Sequence, residues 1–334
     1  MKNILKTALL FFCLMPVLSA CGKPQQYYEE QGSIFHTRYS IKYKASESLA
    51  GKIEQELLLF DASMNPFNPS SVIAKVNNNE PVKVDKWFTE VFNRAMEVSA
   101  ATGGVFDITC APMVNLWGFG AGQADEASQA KIDSIKAFVG YEKVRIKNGQ
   151  IEKDDPRLTL NCSAIAKGYA CDVIASLLQR NGVENYMVEI GGEVAMKGVS
   201  QKGKCWRIGI NKPVDDPLST ISELQEVVSI CDGAMATSGN YRNFRVKDGK
   251  KYGHTIDPRT GSPTEGSLLS VTVVAKDCMT ADAYATALLV WGKEETERLI
   301  PTLADKFEYY LIYVGNDGRY AISMSEGMRQ YIVE

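Results

Sequence analysis

The spacing of apolar positions changes several times along the chain, and each change predicts an element. Alternation over residues 35–43 predicts a strand. A loop rich in Asn, Pro and Ser follows at residues 63–71, and the apolar, glycine-rich segment 105–120 has the pattern of a buried strand and turn. Apolar residues at helical spacing predict helices over residues 46–60, 87–102 and 127–138.

The second half of the chain combines short apolar runs with turns. A short strand pair is predicted at 151–160, followed by a helix over 163–182 that Ser163 caps and Gly182 ends. Because helices and strands mix without strict βαβ alternation, the pattern predicts an α+β fold rather than a doubly wound sheet. Further strands are predicted at 185–198, broken at Gly191-Gly192, at 205–213, 227–239 and 268–278, and on both sides of a Gly-Asn-Asp-Gly turn after residue 314.

The N-terminus has the pattern of an export signal. Lys2 and Lys6 flank the start of an apolar run over residues 7–20 that is too short for a stop-transfer helix. The run ends in Leu-Ser-Ala before Cys21, which resembles the lipobox of bacterial lipoproteins. On that resemblance residues 1–20 are removed and Cys21 is diacylated; an ordinary signal peptide cut beside a chance cysteine is the alternative. We expect a polar tether at 21–32 and an exported lipoprotein, anchored on the periplasmic or outer side of a bacterial membrane without a spanning helix.

Charge and cysteine content argue against two classes of partner. A net charge of -3 and a pI near 5.7 provide no basic field for nucleic acid. The cysteines form no CxxC pair, which argues against a zinc site. We predict mostly free thiols for the cysteines beyond Cys13 and Cys21, since several lie in apolar surroundings. These are Cys110, Cys162, Cys171, Cys205, Cys231 and Cys278.

One polar turn and the helix predicted after it carry the candidate chemistry. HTIDPRTG, residues 254–261, contains one of the 2 histidines of the chain. TADAYATAL, residues 280–288, is predicted to be helical, which places Asp282 and Thr286 on one face. Their oxygens suit Mg²⁺, which also binds phosphate. Together the motifs indicate a phosphate-and-metal site; the alternative is an Ala-rich helix with an exposed Asp and a capping Thr.

Several segments resemble the FAD:protein FMN transferases, the ApbE family, in order and approximate spacing. The resemblance extends over residues 32–316 and implies a two-lobed, T-fold-like α+β domain over residues 33–334. It also implies Mg²⁺-dependent transfer of the FMN half of FAD to a Thr or Ser hydroxyl of an acceptor protein, with release of AMP. Family acceptors include flavin-carrying subunits of membrane-bound redox complexes. The segments are VFDITCAPMVNLWGFG, SAIAKGYACD, NYMVEIGGEVAMKG, WRIGINKP, ATSGNYRN, HTIDPRTG and MTADAYATAL.

The resemblance also implies site residues. Asp282, Thr286 and the backbone carbonyl of Ala164 match the magnesium ligands, although Ala164 has the alternative of a simple helix-start residue. For Trp117 and Phe119 the alternative is core packing, and for Lys167 a solvated helical lysine. The positions that match flavin or FAD contacts are Phe35, Phe67, Trp117, Gly118, Phe119, Asn161, Lys167 and Ile256.

His254 is the candidate base for the acceptor hydroxyl, because an imidazole titrates near neutral pH. Holding a phosphate or capping the turn are its alternatives. We expect Asp257 to hydrogen-bond its own backbone ahead of Pro258, and Arg259 to do the same work or to face phosphate. His36 is expected to be an ordinary strand residue.

Three positions depart from the family pattern. Phe35-His36-Thr37 stands for Met-Gly-Thr, Phe67 for Tyr, and Asn161-Cys162-Ser163 for Asp-Leu-Ser. These changes concern the affinity and pose of FAD more than the metal pair. Two other functions stay open: an FAD diphosphatase that uses water and yields FMN and AMP, and a non-catalytic lipoprotein that stores or senses flavin.

Overall fold

A computed structural model describes residues 24–120, 127–213, 223–240, 244–247 and 250–333. The expected signal peptide and Cys21 therefore lie outside the described residues, as do residues 241–243 of the ATSGNYRN segment. Within the described ranges, no helix has both the length and the apolar content needed to cross a membrane.

Helices and strands alternate irregularly along the described chain. The α-helices are α1 (Ala50–Met64), α2 (Val72–Asn77), α3 (Lys86–Ala101), α4 (Ala111–Leu116), α5 (Gln129–Lys136), α6 (Ala166–Arg180) and α7 (Cys278–Leu299). The strands of the first part are β1 (Gln26–Ile34), β2 (Thr37–Ala45), β3 (Val144–Lys147), β4 (Gln150–Lys153), β5 (Tyr186–Ile190), β6 (Glu193–Lys197), β7 (Trp206–Asn211) and β8 (Leu224–Ile230). The others are β9 (Asp232–Gly239), β10 (Phe244–Lys247), β11 (Lys250–Gly253), β12 (Ile256–Asp257), β13 (Ser262–Pro263), β14 (Leu268–Ala275), β15 (Glu308–Val314) and β16 (Tyr320–Met324).

An antiparallel sheet of 8 strands organises the fold, in the order β1-β2-β5-β6-β9-β14-β15-β16. Two-residue turns join β1 to β2 and β5 to β6, and a longer hairpin loop joins β15 to β16. The longer connections between the other neighbours contain the helices and the β7–β8 hairpin. The α+β class predicted from the missing βαβ alternation is therefore confirmed.

The two faces of this sheet are covered by different elements. Helices α1, α6 and α7 pack on one face, where Ile41 and Val188 belong to a large apolar cluster. The β7–β8 hairpin covers part of the other face, where Trp206 packs with Val194 and Met235 in a smaller cluster. Because side chains alternate between the faces of a strand, successive residues of β5, β6 and β9 serve different cores.

A disulfide joins Cys205, just before β7, to Cys231, just after β8, with their Cα atoms 4.5 Å apart. The expectation of free thiols is wrong for this pair, because the antiparallel hairpin brings together two positions 26 residues apart in sequence. Cys110, Cys162, Cys171 and Cys278 are free, as expected.

Two corrections concern the N-terminal hairpin. The tether expected at 21–32 is wrong from Gln26 onward, because β1 pairs along its whole length with β2 and Tyr28 stacks on Tyr43. The strand expected at 35–43 begins at Thr37, since Phe35 and His36 form the turn with φ values of 52° and 58°. A two-residue hairpin turn of type I′ has positive φ at both central positions. His36 is therefore a turn residue and not a strand residue.

Three further expectations are wrong. Segment 105–120 contains helix α4, with Pro112 in its first turn, where a missing amide costs no hydrogen bond. The strand pair expected at 151–160 is the earlier hairpin β3–β4. Ser163 does not cap α6, which begins at Ala166 without a side-chain cap. In the first turn of α6, the Gly168 amide donates instead to Asp282 of the neighbouring helix α7.

Candidate active site

A cavity of about 490 Å³ lies on the helix-covered face of the sheet. Its size is within the range of roughly 300–1,000 Å³ typical of small-molecule sites. The start of α6, the end of β9, the turn after β11 and the first turns of α7 contribute to its walls. The predicted site residues that line it are Phe35, Phe67, Phe119, Asn161, Ala164, Lys167, His254, Ile256, Asp282 and Thr286.

Helices α6 and α7 approach closely at Gly168. A Cβ atom on Gly168 would lie 2.8 Å from the Cβ atom of Asp282 and closer still to the carbonyl oxygen of Cys278. The missing side chain lets the Gly168 amide donate a hydrogen bond of 3.0 Å to Asp282 Oδ2. In a regular helix this amide would donate to the Ala164 carbonyl. Among the described residues, that carbonyl is consequently left without a hydrogen-bond partner.

Lys167 lies against two carboxylates. Its Nζ atom is 3.2 Å from Glu193 Oε1 and 3.8 Å from Asp282 Oδ2, and it donates to the Ser163 carbonyl at 3.1 Å. Burial alone would lower the pKa of this ammonium, but Asp282 and Glu193 hold its pKa above the usual value. The alternative of a solvated helical lysine is therefore wrong.

Burial also changes the two carboxyl groups. It raises the pKa of Glu193 to about 8 and raises the pKa of Asp282, with Lys167 opposing the shift in both. Glu193 Oε2 is buried without a hydrogen-bond partner among the described atoms. Glu193 was not predicted from sequence. Its signal was a single carboxylate directly after the Gly191-Gly192 pair, followed by the apolar residues 194–196.

Thr286 links α7 to the end of β9. Its Oγ1 atom lies 3.1 Å from Ser238 Oγ, within hydrogen-bond distance. Asp282, one helical turn earlier, faces the same cavity, as the four-residue spacing predicted. Ser238 was also missed by the sequence reasoning, because no pattern within β9 distinguishes it from neighbouring small residues.

The oxygen atoms at this end of the cavity fit a hard cation. No three side chains of His, Cys, Asp or Glu cluster as a metal site in the described ranges. Asp282 Oδ1 and the Ala164 carbonyl have no described hydrogen-bond partner, and Thr286 adds a hydroxyl. Magnesium commonly takes one or two carboxylates and completes its shell with substrate phosphates and water. A site with few protein ligands is therefore adequate for it.

Aromatic side chains form the other end of the cavity. Phe35 meets Phe60 edge to face, with ring centroids 5.5 Å apart, and Phe67 meets His36 in the same way at 5.0 Å. Phe67 is 56% exposed and so lies at the rim. The Phe119 ring is 6.4 Å from the ring of His254. These faces provide stacking surface for a planar ring system.

Trp117 and Gly118 do not line the cavity. The Trp117 indole donates a hydrogen bond of 2.9 Å to the Gly261 carbonyl, and its ring lies 5.4 Å from that of Tyr252. Gly118, with φ 75°, follows it in the turn after α4. These two predicted flavin contacts therefore lie outside the cavity wall. Instead, Trp117 holds the HTIDPRTG turn that carries His254.

Asp257 closes that turn, as expected. Its Oδ1 atom accepts a hydrogen bond of 2.9 Å from the Arg259 amide, and its Oδ2 atom pairs with Arg259 Nη2 at 2.9 Å. Arg259 is therefore engaged by its own turn and does not line the cavity. Asn161 also stabilises the turn in which it lies, because its Oδ1 atom accepts a hydrogen bond of 2.9 Å from the Ser163 amide.

Comparison with known proteins agrees with this arrangement of motifs. A family model described as the ApbE family matches residues 35–311. The chain belongs to the ApbE family. An FAD:protein FMN transferase of Vibrio cholerae is 38% identical over 289 residues, which are 83% of this chain and 85% of the relative. One from Escherichia coli K12 is 35% identical over 269 residues, 78% of this chain and 76% of the relative.

Solved structures of ApbE proteins share the fold. The flavin transferase ApbE from Vibrio cholerae superposes with a TM-score of 0.80 at 34% identity, covering 92% of this chain and 100% of that one. The apo flavinyl transferase ApbE of Pseudomonas stutzeri has a TM-score of 0.80 at 28% identity, covering 92% and 97%. The family resemblance drawn from the sequence motifs is confirmed.

The close helix approach leads to a prediction for Gly168→Ala. The added Cβ atom would push α7 away, so we expect the free energy of unfolding to fall by about 1–3 kcal/mol or more and turnover to fall with it. Urea unfolding measures the first effect. Gly51→Ala is the matched control, because a Cβ atom there meets nothing within 4 Å. Equal stability of the two variants would contradict the role assigned to Gly168.

Proposed function

We propose that this chain is a Mg²⁺-dependent FAD:protein FMN transferase that acts on an exported or membrane-bound acceptor protein. Membership of the ApbE family and the activity named for its relatives support the transferase reaction, with FAD as substrate. The observation that carries the metal proposal is the Gly168 amide, which donates to Asp282 and leaves the Ala164 carbonyl available beside it.

The charge balance of the cavity supports the need for a cation. Asp107, Glu193 and Asp282 line it, whereas Lys167 is the single Lys or Arg among its described lining residues. Lys167 is already paired with Glu193 and Asp282, so it leaves little positive charge to offset an anionic pyrophosphate. We assign Asp282, Thr286 and the Ala164 carbonyl as ligands of Mg²⁺. When bound, this ion supplies the positive charge that neutralises the pyrophosphate and the departing AMP.

The remaining residues orient FAD. Phe35, Phe67 and Phe119 would hold the isoalloxazine ring at the aromatic end, and Asn161 and Ile256 line the same cavity. Lys167 holds Glu193 and Asp282 in place through its two ion pairs. In this arrangement the pyrophosphate would lie toward the start of α6, near the proposed metal ligands.

His254 would take the proton from the acceptor hydroxyl. The hydroxyl oxygen forms a bond to the phosphorus of the FMN half, and the bond from that phosphorus to the AMP oxygen breaks. AMP leaves with the bonding electron pair, and the acceptor keeps FMN as a phosphoester. Such transfers depend on positioning and charge stabilisation more than on covalent catalysis by the protein, which suits this site.

Reconstitution tests the proposed function. Purified mature protein is mixed with FAD, Mg²⁺ and a candidate acceptor protein, and in-gel flavin fluorescence and AMP release are measured. A fluorescent acceptor band with AMP in equal amount is the expected result, and EDTA should abolish it until Mg²⁺ is restored. Cleavage of FAD without labelling would indicate the diphosphatase, and FAD binding with neither product a non-catalytic flavin protein.

The aromatic end of the cavity leads to a prediction for Phe119→Ala. Loss of one stacking face is expected to weaken FAD binding about tenfold. Tyr320→Ala is the control, since this exposed tyrosine on β16 lies away from the cavity. Titration of both folded variants with FAD measures their affinities for it. Unchanged affinity in Phe119→Ala would show that Phe119 serves core packing instead.

A lipid anchor at Cys21 completes the proposal. It is supported by the signal-peptide pattern and the Leu-Ser-Ala-Cys junction of the sequence. Replacing Cys21 with Ser is expected to move the protein from the membrane fraction to the soluble exported fraction, as shown by fractionation and immunoblotting. Tight membrane association of the Ser variant would contradict lipidation at this position.

A further inference from the structure

A second concave surface lies on the opposite face of the sheet from the active-site cavity. This groove has a volume of about 670 Å³ and lies between the main sheet and β7. Met187 and Met235 contribute to its floor, and Ile208 to its β7 wall. The Cys205–Cys231 disulfide fastens the base of the β7–β8 hairpin beside the sheet. The disulfide therefore holds β7, which forms one wall of the groove, close to the sheet.

The groove and the cavity lie at the same end of the central strands of the sheet. Thr237 and Gly239, at the end of β9, line both. The β1–β2 turn contributes Phe35 to the cavity, and the start of β2 contributes Arg38 to the groove. The β5–β6 turn similarly contributes the Gly191-Gly192 pair to the groove, and the first residue of β6, Glu193, lines the cavity. A segment in the groove therefore lies next to residues that also line the cavity.

The strand edge between them is open. β6 pairs with β9 only as far as Met235, whereas β14 pairs with the other side of β9 as far as Gly239. Beyond Met235, β9 thus has a described partner strand on one side only. Such an edge offers main-chain donors and acceptors to an added extended segment. The neighbouring Gly191 and Gly192 have no side chains to obstruct it.

The groove carries positive charge although the whole chain has a net charge of -3. Arg38 and Arg207 line it, both are exposed, and neither forms an ion pair in the described part of the chain. Glu189 is the single carboxylate among the described lining residues, and burial raises its pKa. The uncompensated guanidinium groups are suited to carboxylates of a partner.

We propose that this groove is the docking site for the segment of the acceptor protein that carries the modified hydroxyl. The segment is extended and acidic: its carboxylates face Arg38 and Arg207, and its Thr or Ser passes the open edge of β9 to reach His254. This proposal rests on the proposed transferase function and specifies its protein substrate. It also explains why the acceptor need not compete with FAD, which enters the cavity on the helix-covered face.

Steady-state transfer kinetics with two synthetic peptides test the proposal. Both are extended peptides with a central Thr, flanked by Asp in one and by Asn in the other. With wild-type protein, FAD and Mg²⁺, the Asp peptide should have a KM about tenfold lower or better, and this advantage should shrink as salt rises. Equal KM values, or labelling of neither peptide when a whole acceptor protein is labelled, would overturn the docking proposal.

Charge reversal identifies the surface. Arg38→Glu and Arg207→Glu should each raise KM for the Asp peptide about tenfold or more, while kcat at saturating peptide and the Kd for FAD stay close to wild type. Arg180→Glu is the matched control, since this exposed arginine lies about 20 Å along α6 from Lys167. Equal effects of all three reversals, or no effect at Arg38 and Arg207, would overturn the assignment. Failure of the wild type to label any acceptor would instead contradict the transferase function itself.

Discussion

Replacement of Asp282 by alanine is expected to lower the rate of FMN transfer by about 10²-fold or more. Asp282 is 3% exposed and supplies the charged oxygen beside the Ala164 carbonyl. Without it, the proposed magnesium ion loses its carboxylate ligand, and charge developing on AMP is poorly stabilised. FAD binding should decrease less, because the aromatic end of the cavity is untouched. Turnover by in-gel fluorescence and FAD affinity by titration measure the two effects separately.

Two companion variants separate the chemistry from folding. Asp282→Asn keeps an oxygen that can accept from the Gly168 amide, so it should fold like the wild type and still lose turnover. Thr286→Ala removes a neutral ligand, and we expect added Mn²⁺ to restore part of the activity of this variant. Added Mn²⁺ should not restore the activity of Asp282→Ala. Near wild-type transfer by a folded Asp282→Ala protein would rule out this metal site.

Replacement of His254 by glutamine is expected to lower kcat by about 10²–10⁴-fold, the usual contribution of a general base. Glutamine retains polarity but cannot take a proton near neutral pH. The loss should fall on kcat rather than on FAD affinity, and the remaining activity should rise with pH as the acceptor hydroxyl becomes easier to deprotonate by hydroxide. A pH profile of kcat checks this.

The chain offers a direct control for this variant, since it contains only 2 histidines. His36 is exposed in the β1–β2 turn and its ring contacts Phe67 at the rim. His36→Gln should therefore keep the pH profile of the wild type. If His254→Gln keeps wild-type kcat, the imidazole is not the base, and its role is to close the turn or to hold phosphate.

Local patterns in the sequence were sufficient for the elements with strong periodicity. The four-residue spacing of Asp282 and Thr286 placed both on one face of α7, and the structure directs both into the cavity. The Asp-Pro step in HTIDPRTG predicted a self-closed turn, and Asp257 does accept from the Arg259 amide. These features depend on residues within one turn of each other, so the local chain decides them.

Several expectations were wrong where distant residues compete with local signals. Ser163 has the side chain of a helix cap, yet α6 begins three residues later, since Asp282 of another helix accepts the Gly168 amide. Trp117, a predicted flavin contact, lies outside the cavity wall, because its indole donates to the carbonyl of Gly261, 144 positions away. Neither partner can be identified from the residues near it in sequence.

The sequence by itself determined the α+β class, the family and 10 of the residues that line the cavity, because periodicity and short motifs act over a few residues. Only the tertiary structure decided which oxygens lack partners, that Glu193 joins Lys167 beneath them, and that β9 ends between a cavity and a groove. Those outcomes depend on how helices α6 and α7 pack and where each strand of the sheet stops pairing. Both are set by contacts between segments far apart in the chain, for which a single sequence contains no local signal.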